Sequence, residues 1–159
     1  GLSRLYANME VLSTLGIRPG GSCHYPLAGW SVFSDRIHRL LLRDFYGQPM
    51  SESILSPNLV EARYGDSANK SIVLEFDQPV IWDDRLVSQF YLDGTDATVT
   101  GGKVEGKNLV LRLSDATDVA QITYLKEASW KQDNLLRGAN GIAALTFCKV
   151  LVSAAVNRP

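Results

Sequence analysis

The chain has 159 residues, of which 45% belong to the hydrophobic set and 21% are charged. That is the balance of an ordinary globular protein, long enough to bury a core without metal or disulfide staples. Sixteen Lys and Arg against 17 Asp and Glu leave a net charge of −1, with no electrostatic footprint for nucleic acid or an anionic membrane surface.

Leu2, Leu5, Met9, Leu12 and Leu15 recur at intervals of three and four, the stripe of an amphipathic helix. Ser3 can cap its start, and Gly16 can supply the left-handed residue past its end. Residues 17–28 read as loop, broken by Pro19, Gly20, Gly21 and Pro26. A second helix follows, with Trp30, Phe33, Ile37, Leu40, Leu41 and Phe45 on one face and Asp35, Arg36, Arg39 and Arg43 mostly on the other. Gly47 is placed as its C-terminal cap. Two helices in about 47 residues are too little to make a core, so the Trp30 face calls for a partner layer.

Residues 48–57 form the connector, and from about residue 58 the apolar period changes to two. Ile72, Leu74 and Phe76 alternate with Val73, Glu75 and Asp77; Leu109, Leu111 and Leu113 with Val110 and Arg112; Ala120, Ile122 and Tyr124 with Gln121 and Thr123. Further strands are expected at 59–64, 89–92, 97–100 and 146–152. The turns between strands fall at Gly65-Asp66, Asp93-Gly94, Gly101-Gly102, Glu105-Gly106 and Asn140-Gly141. Many short strands at this spacing predict a β-sandwich or jelly-roll-like domain.

The apolar stretch 142–156 is interrupted by Lys149 and is too short to span a bilayer. No basic-then-apolar leader opens the chain, and it starts on Gly1, so a processed or excised polypeptide is expected. Cys23 and Cys148 read as free small hydrophobes. With only two His beside them, they are too few for a metal site at these spacings.

His24, on the loop before the second helix, is the first candidate for chemistry, since an exposed imidazole can serve as a general base. Gly65-Asp66-Ser67 spells a nucleophile triplet. It stands between two alternating runs, though, and Gly-Asp-Ser-Ala-Asn-Lys is hairpin-turn chemistry. Trp82, Phe90, Tyr91, Tyr124 and Trp130 could stack on sugar rings or simply pack; Trp130, in a polar loop, is the best candidate for binding. Asp83-Asp84 reads as a solvated turn without the ligand density of a calcium loop.

One ordered set of segments resembles the C-terminal end of SGNH-type carbohydrate esterases, specifically those like sialate O-acetylesterases. It starts with Cys23-His24-Tyr25-Pro26 before a helix ending in Asp44-Phe45-Tyr46-Gly47. Ile72–Phe76 follows, then Phe90-Tyr91-Leu92-Asp93-Gly94 and Ile122-Thr123-Tyr124. Asn134-Leu135-Leu136 and Gly141–Phe147 complete it. Two departures stand out. Gly21 occupies the position where an Asp usually orients the His, and Ala144 and Thr146 replace usual prolines.

The resemblance implies that residues 1–47 are the closing helices of an α/β/α hydrolase domain, 48–57 a linker and 58–159 an accessory β-sandwich. It implies His24 as the catalytic general base and neither metal nor organic cofactor, while Trp130 stays a candidate substrate contact on its polar-loop setting alone. The nucleophilic Ser and oxyanion hole would lie N-terminal to this segment. The expected partners are therefore the remainder of the esterase domain and an acetylated carbohydrate, with no nucleic acid and no membrane. The chain would be inactive alone, in a periplasmic or secreted protein. The competing expectation is a non-catalytic carbohydrate-binding or structural β-sandwich module.

Overall fold

The computed structural model describes residue 6 and residues 9–17, 27–126 and 131–155. Helix α1 (Leu27–Asp44) precedes strands β1 (Leu59–Tyr64), β2 (Ser71–Phe76) and β3 (Val80–Ile81), a 3-10 helix η1 (Asp84–Gln89), and strands β4 (Phe90–Asp93) and β5 (Val99–Glu105). The order continues with β6 (Asn108–Leu113), β7 (Gln121–Tyr124), β8 (Arg137–Gly138) and β9 (Phe147–Leu151). The strands form a four-stranded sheet β1-β2-β6-β5, a three-stranded sheet β4-β7-β9 and a two-stranded ribbon β3-β8. All pairings within these sheets are antiparallel.

The period-two pattern builds the core. Ile72 pairs with Leu111 and Leu74 with Leu109, putting one apolar face of β2 and β6 side by side. These four residues are fully buried. They share one cluster with Phe90, Ile122 and Tyr124 of the other sheet. The two sheets are also tied along one side. The Tyr64 N–H donates to the Ser153 carbonyl and the Ser153 N–H to the Ala62 carbonyl, both at 3.0 Å. The domain is thus mainly β and antiparallel, with two sheets over one core, as the alternation predicts.

Three local expectations need correction. Residues 9–15 are not helical. There Ser13 is buried, its N–H donates to Ser56 Oγ at 2.9 Å, and its carbonyl accepts from Arg36 Nη1 at 2.6 Å. Its own hydroxyl accepts from the Leu15 N–H at 3.2 Å. Long-range and local side-chain partners have replaced the helical ladder. Gly16 is left-handed, with φ +73°, but ends a turn rather than a helix. The first residues of that expected helix, including Leu2, Ser3 and Leu5, lie outside the described residues.

Second, Gly101-Gly102 is not a turn: β5 runs through it, with a register shift between Val99 and Gly101. A Cβ on Gly102 would stand 2.7–3.0 Å from three Trp82 ring atoms and one on Gly101 would meet the Arg112 guanidinium, so Gly102 admits an indole and Gly101 a guanidinium against the strand. Third, Asp83 is an N-cap. It accepts from the Arg85 N–H at 2.9 Å and starts η1.

Helix α1 ends as expected. Gly47 has φ +61°, and the Gln48 N–H donates to the Leu42 carbonyl at 2.9 Å. Ile54, Ser56 and Pro57 of the connector are buried. Asn140 Nδ2 donates to the Ser53 and Leu55 carbonyls, each at 2.8 Å. The connector is pinned to the β domain at both of these carbonyls.

Candidate functional site

His24 and Trp130 both lie outside the described residues, as do Gly21, Ser22 and Cys23. Their neighbours in the chain do not. The Gly16 N–H, just before the His24 segment, donates to Gln132 Oε1, just after the Trp130 segment, at 2.5 Å. Ile17 is fully buried there. The fold therefore brings together the stretches that flank two candidates 106 positions apart in sequence.

Helix α1, which follows the His24 segment in the chain, carries its hydrophobic face outward. At about 100° per residue, Trp30, Ile37 and Leu41 fall within a narrow arc and Phe45 close beside it. They are 45%, 38%, 42% and 79% exposed. Arg36, roughly on the opposite side, is buried, with its guanidinium donating to the Ser13 carbonyl. An ordinary surface helix does the reverse. The exposed apolar area of those four side chains is on the order of 400 Å², within the range where a single patch is often functional. Phe33 packs edge-on against Trp30, with ring centroids 6.2 Å apart. Tyr46, just past the helix, is 75% exposed.

Ion pairs border this helix. Arg43 bonds both Asp44, at 2.6 Å, and Glu10, at 2.9 Å. The hydrogen bond from Arg43 is the main cause holding the Asp44 carboxyl below its ordinary range. On the side turned to the β domain, Val32, Asp35, Arg36, Arg39, Asn140 and Ile142 help line an open cleft of about 220 Å³.

Gly65-Asp66-Ser67 is the β1–β2 turn. The Asp66 carboxylate accepts from the Ala68 N–H at 2.9 Å, from the Lys70 N–H at 3.1 Å and from the Ser71 hydroxyl. The Ser71 hydrogen bond is the largest cause depressing the Asp66 pKa. Ser67 is exposed on the turn, in no strand-to-helix elbow. The triplet serves the hairpin.

The aromatics converge. Phe90 and Tyr124 rings stand 5.1 Å apart, Tyr124 and Phe147 5.7 Å, and Trp82 and Phe90 5.9 Å. The Tyr124 hydroxyl accepts from the Leu136 N–H at 2.7 Å, while Asn134 Nδ2 donates to the Arg85 carbonyl at 2.9 Å. Burial pushes the Tyr124 phenol up to about 12. Tyr91 is partly buried, with Lys126 Nζ 5.8 Å from its ring centroid. Four of the segments quoted for the resemblance thus meet through Phe90, Tyr124, Leu136 and Phe147. Sequence reading missed β3 and β8, two residues each, because strands that short leave no period.

Among the described residues no group of three or more His, Cys, Asp or Glu could hold a metal ion. Among them, too, no helix is long and apolar enough to cross a membrane.

The class these features define is an antiparallel two-sheet β domain preceded by a helix. The chain matches no protein-family model and no curated protein sequence. Among solved structures it is similar to a carbohydrate acetylesterase from Xanthomonas citri, with a TM-score of 0.52 and 18% identity, covering 77% of this chain and 28% of that one. A second match is the S-layer protein rSbsC(31-844), with a TM-score of 0.43 and 16% identity, covering 85% of this chain and 17% of that one. The first likeness shows a shared fold over most of the chain, which spans about 28% of that esterase's length.

Proposed function

We propose that this chain is the C-terminal part of a serine carbohydrate O-acetylesterase, sialate-type by resemblance. Residues 1–47 would close its α/β/α domain and carry the general base His24, and residues 58–159 would form its accessory β-sandwich. One observation carries the reading: the helix that follows the His24 segment turns Ile37, Leu41 and Phe45 to solvent while Arg36 is buried. Among the described residues the buried core cluster belongs to the β domain and takes in no side chain of that helix, which leaves its apolar face for another layer to cover. The fold shared with a carbohydrate acetylesterase supports the same reading.

In the intact enzyme, His24 takes the proton from the nucleophilic Ser as its Oγ bonds the acetyl carbon. It returns that proton to the departing sugar hydroxyl. In the second half it takes a proton from water as the water oxygen attacks the acyl-enzyme, then restores the Ser hydroxyl as acetate leaves. The acetylated carbohydrate sits between the partner layer and the Trp130 loop. With Gly21 in place of the usual Asp, the imidazole is oriented by Ser22 or by a backbone carbonyl. The partners are the remaining esterase layer and the sugar ester; no cofactor takes part.

The test is reconstitution. The chain alone should not hydrolyse a fluorogenic acetate ester. Mixed with the separately produced polypeptide encoded upstream of Gly1, it should. His24→Ala should then lose about ten-thousandfold in kcat, while Ser67→Ala loses nothing. Hydrolysis by the lone chain that vanishes in Ser67→Ala would overturn the reading.

A further inference from the structure

We propose that Asn140-Gly141 is a modification site: the Asn140 side-chain amide is hydrolysed through a cyclic imide, and this one-way step releases the connector between α1 and the β domain. The step requires no hydrolase activity of the chain.

Of this chain's asparagines only Asn140 is followed by glycine. Glycine has no side chain to shield its backbone nitrogen, and its backbone bends freely. In an open conformation the Gly141 nitrogen gives up its proton and bonds the Asn140 Cγ. Nδ2 leaves with a proton as ammonia, and a cyclic imide remains. Water then opens the ring at either carbonyl. One product is aspartate in the ordinary backbone. The other is isoaspartate, whose main chain runs through the former side chain. Water is the only other reactant.

The fold holds this chemistry shut. Asn140 Nδ2 donates to the Ser53 and Leu55 carbonyls, each at 2.8 Å, and Oδ1 accepts from the Ile142 N–H at 3.0 Å. Those bonds fix the amide at both of its polar atoms. The Gly141 N–H donates to the Gly138 carbonyl at 2.9 Å, so the attacking nitrogen is engaged as well. Gly138 leaves room for the arrangement, since a Cβ there would stand 2.7 Å from Asn140 Oδ1 and 2.9 Å from Pro57 Cγ. Attack therefore waits on a local opening, and two of the bonds that must open are to the connector. Gln78 Nε2 also donates to the Leu55 carbonyl, at 3.1 Å, so it steadies the same seat from the β domain.

The reacting amide is itself the pin. Hydrolysis replaces the NH2 group, donor to two connector carbonyls, by a carboxylate oxygen that can only accept. Two hydrogen bonds become two repulsive contacts. Isoaspartate adds a carbon to the main chain as well, directly before the left-handed Gly141, with φ +74°. The connector is freed while the core of the sheets, which does not include Asn140, stays as it was.

The experiment incubates this chain at mildly alkaline pH, folded and in urea, and follows conversion of Asn140 by peptide mapping and mass spectrometry. Asn58 and Asn134, each followed by leucine, are the internal references. In urea Asn140 should convert well ahead of both references. In the folded chain it should convert at least about tenfold more slowly than in urea, because several hydrogen bonds must open first. Folded Gln78→Ala should convert roughly threefold to tenfold faster than the folded parent, with amide exchange across β2 and β6 unchanged. Asn140→Asp, made directly, should speed amide exchange in the peptide 51–57 by at least about fivefold, again with β2 and β6 unchanged. Any one of four results overturns the proposal: Asn140 no faster than Asn58 and Asn134 in urea, equal rates folded and in urea, Gln78→Ala at the parent rate, or connector exchange in Asn140→Asp that superimposes on the parent.

Discussion

Tyr124 offers the sharpest check on how the β domain holds together. Its ring packs against Phe90 and Phe147, and its hydroxyl is the acceptor for the Leu136 N–H at 2.7 Å. Tyr124→Phe keeps the ring and removes only that oxygen. Leu136 is fully buried, so its amide is left without an acceptor or water. The cost should be about 1–3 kcal/mol near neutral pH. The cost shrinks in alkali. The folded-state phenol titrates near 12 against 10.0 for an unperturbed one, so the folded state holds its proton more tightly. Stability from this group is complete below the unfolded pKa and is lost as pH rises from the unfolded toward the folded value, by about 1.4 kcal/mol per pH unit. Phe has no proton to lose, so the gap between parent and variant should narrow by roughly 1.4 kcal/mol between about pH 8 and about pH 11. Urea denaturation monitored by circular dichroism at the two pH values measures both gaps. A Tyr124→Phe cost below about 0.5 kcal/mol at the lower pH, or a gap that stays constant, would refute the reasoning.

Other outcomes follow from the same geometry. Leu74→Ala, at the fully buried centre of β2, should cost about 2–5 kcal/mol by urea titration. Gly102→Ala should destabilise by about 1–3 kcal/mol and change Trp82 fluorescence, because the new methyl occupies the indole's place. Asp66→Ala removes three acceptor contacts from the β1–β2 turn and should cost about 1–2 kcal/mol, while Ser67→Ala stays within about 0.5 kcal/mol. The Asp66 carboxyl is depressed in the folded state, so its contribution is present above the unfolded pKa and fades as pH falls through the folded one. An acid denaturation midpoint identical in parent and Asp66→Ala would contradict that.

Much of the β half was legible because alternation has a direct physical cause: Ile72, Leu74 and Phe76 point to one face whatever the tertiary details. The left-handed glycines at Gly47, Gly94, Gly106 and Gly141 were legible for a similar reason. The stretch 9–15 was not. Its leucine stripe carries a helical period, but Ser13 finds partners at Ser56 and Arg36 that no local pattern encodes. Gly101-Gly102 misled because glycine serves tight turns and close packing equally, and only the positions of Arg112 and Trp82 separate the two uses. At the candidate site, the need of the Trp30 face for a layer was readable from helix arithmetic, and that face is exposed. The buried Arg36 opposite it was not readable, since a charged residue is expected on the wet side. The contact between Gly16 and Gln132 spans 116 positions, a separation at which sequence pattern is silent.

The most direct measurement concerns the outer face of α1. Hydroxyl-radical footprinting of Trp30, Ile37, Leu41 and Phe45 compares the isolated chain with the chain mixed with the proposed N-terminal part of the esterase. The account expects these four to be readily oxidised in isolation and protected at least about tenfold in the assembly, with Ile81 and Leu151 on the β domain unchanged as exposed controls. Equal oxidation of the α1 side chains in both states would mean that no further layer covers the helix, and the esterase reading would go with it.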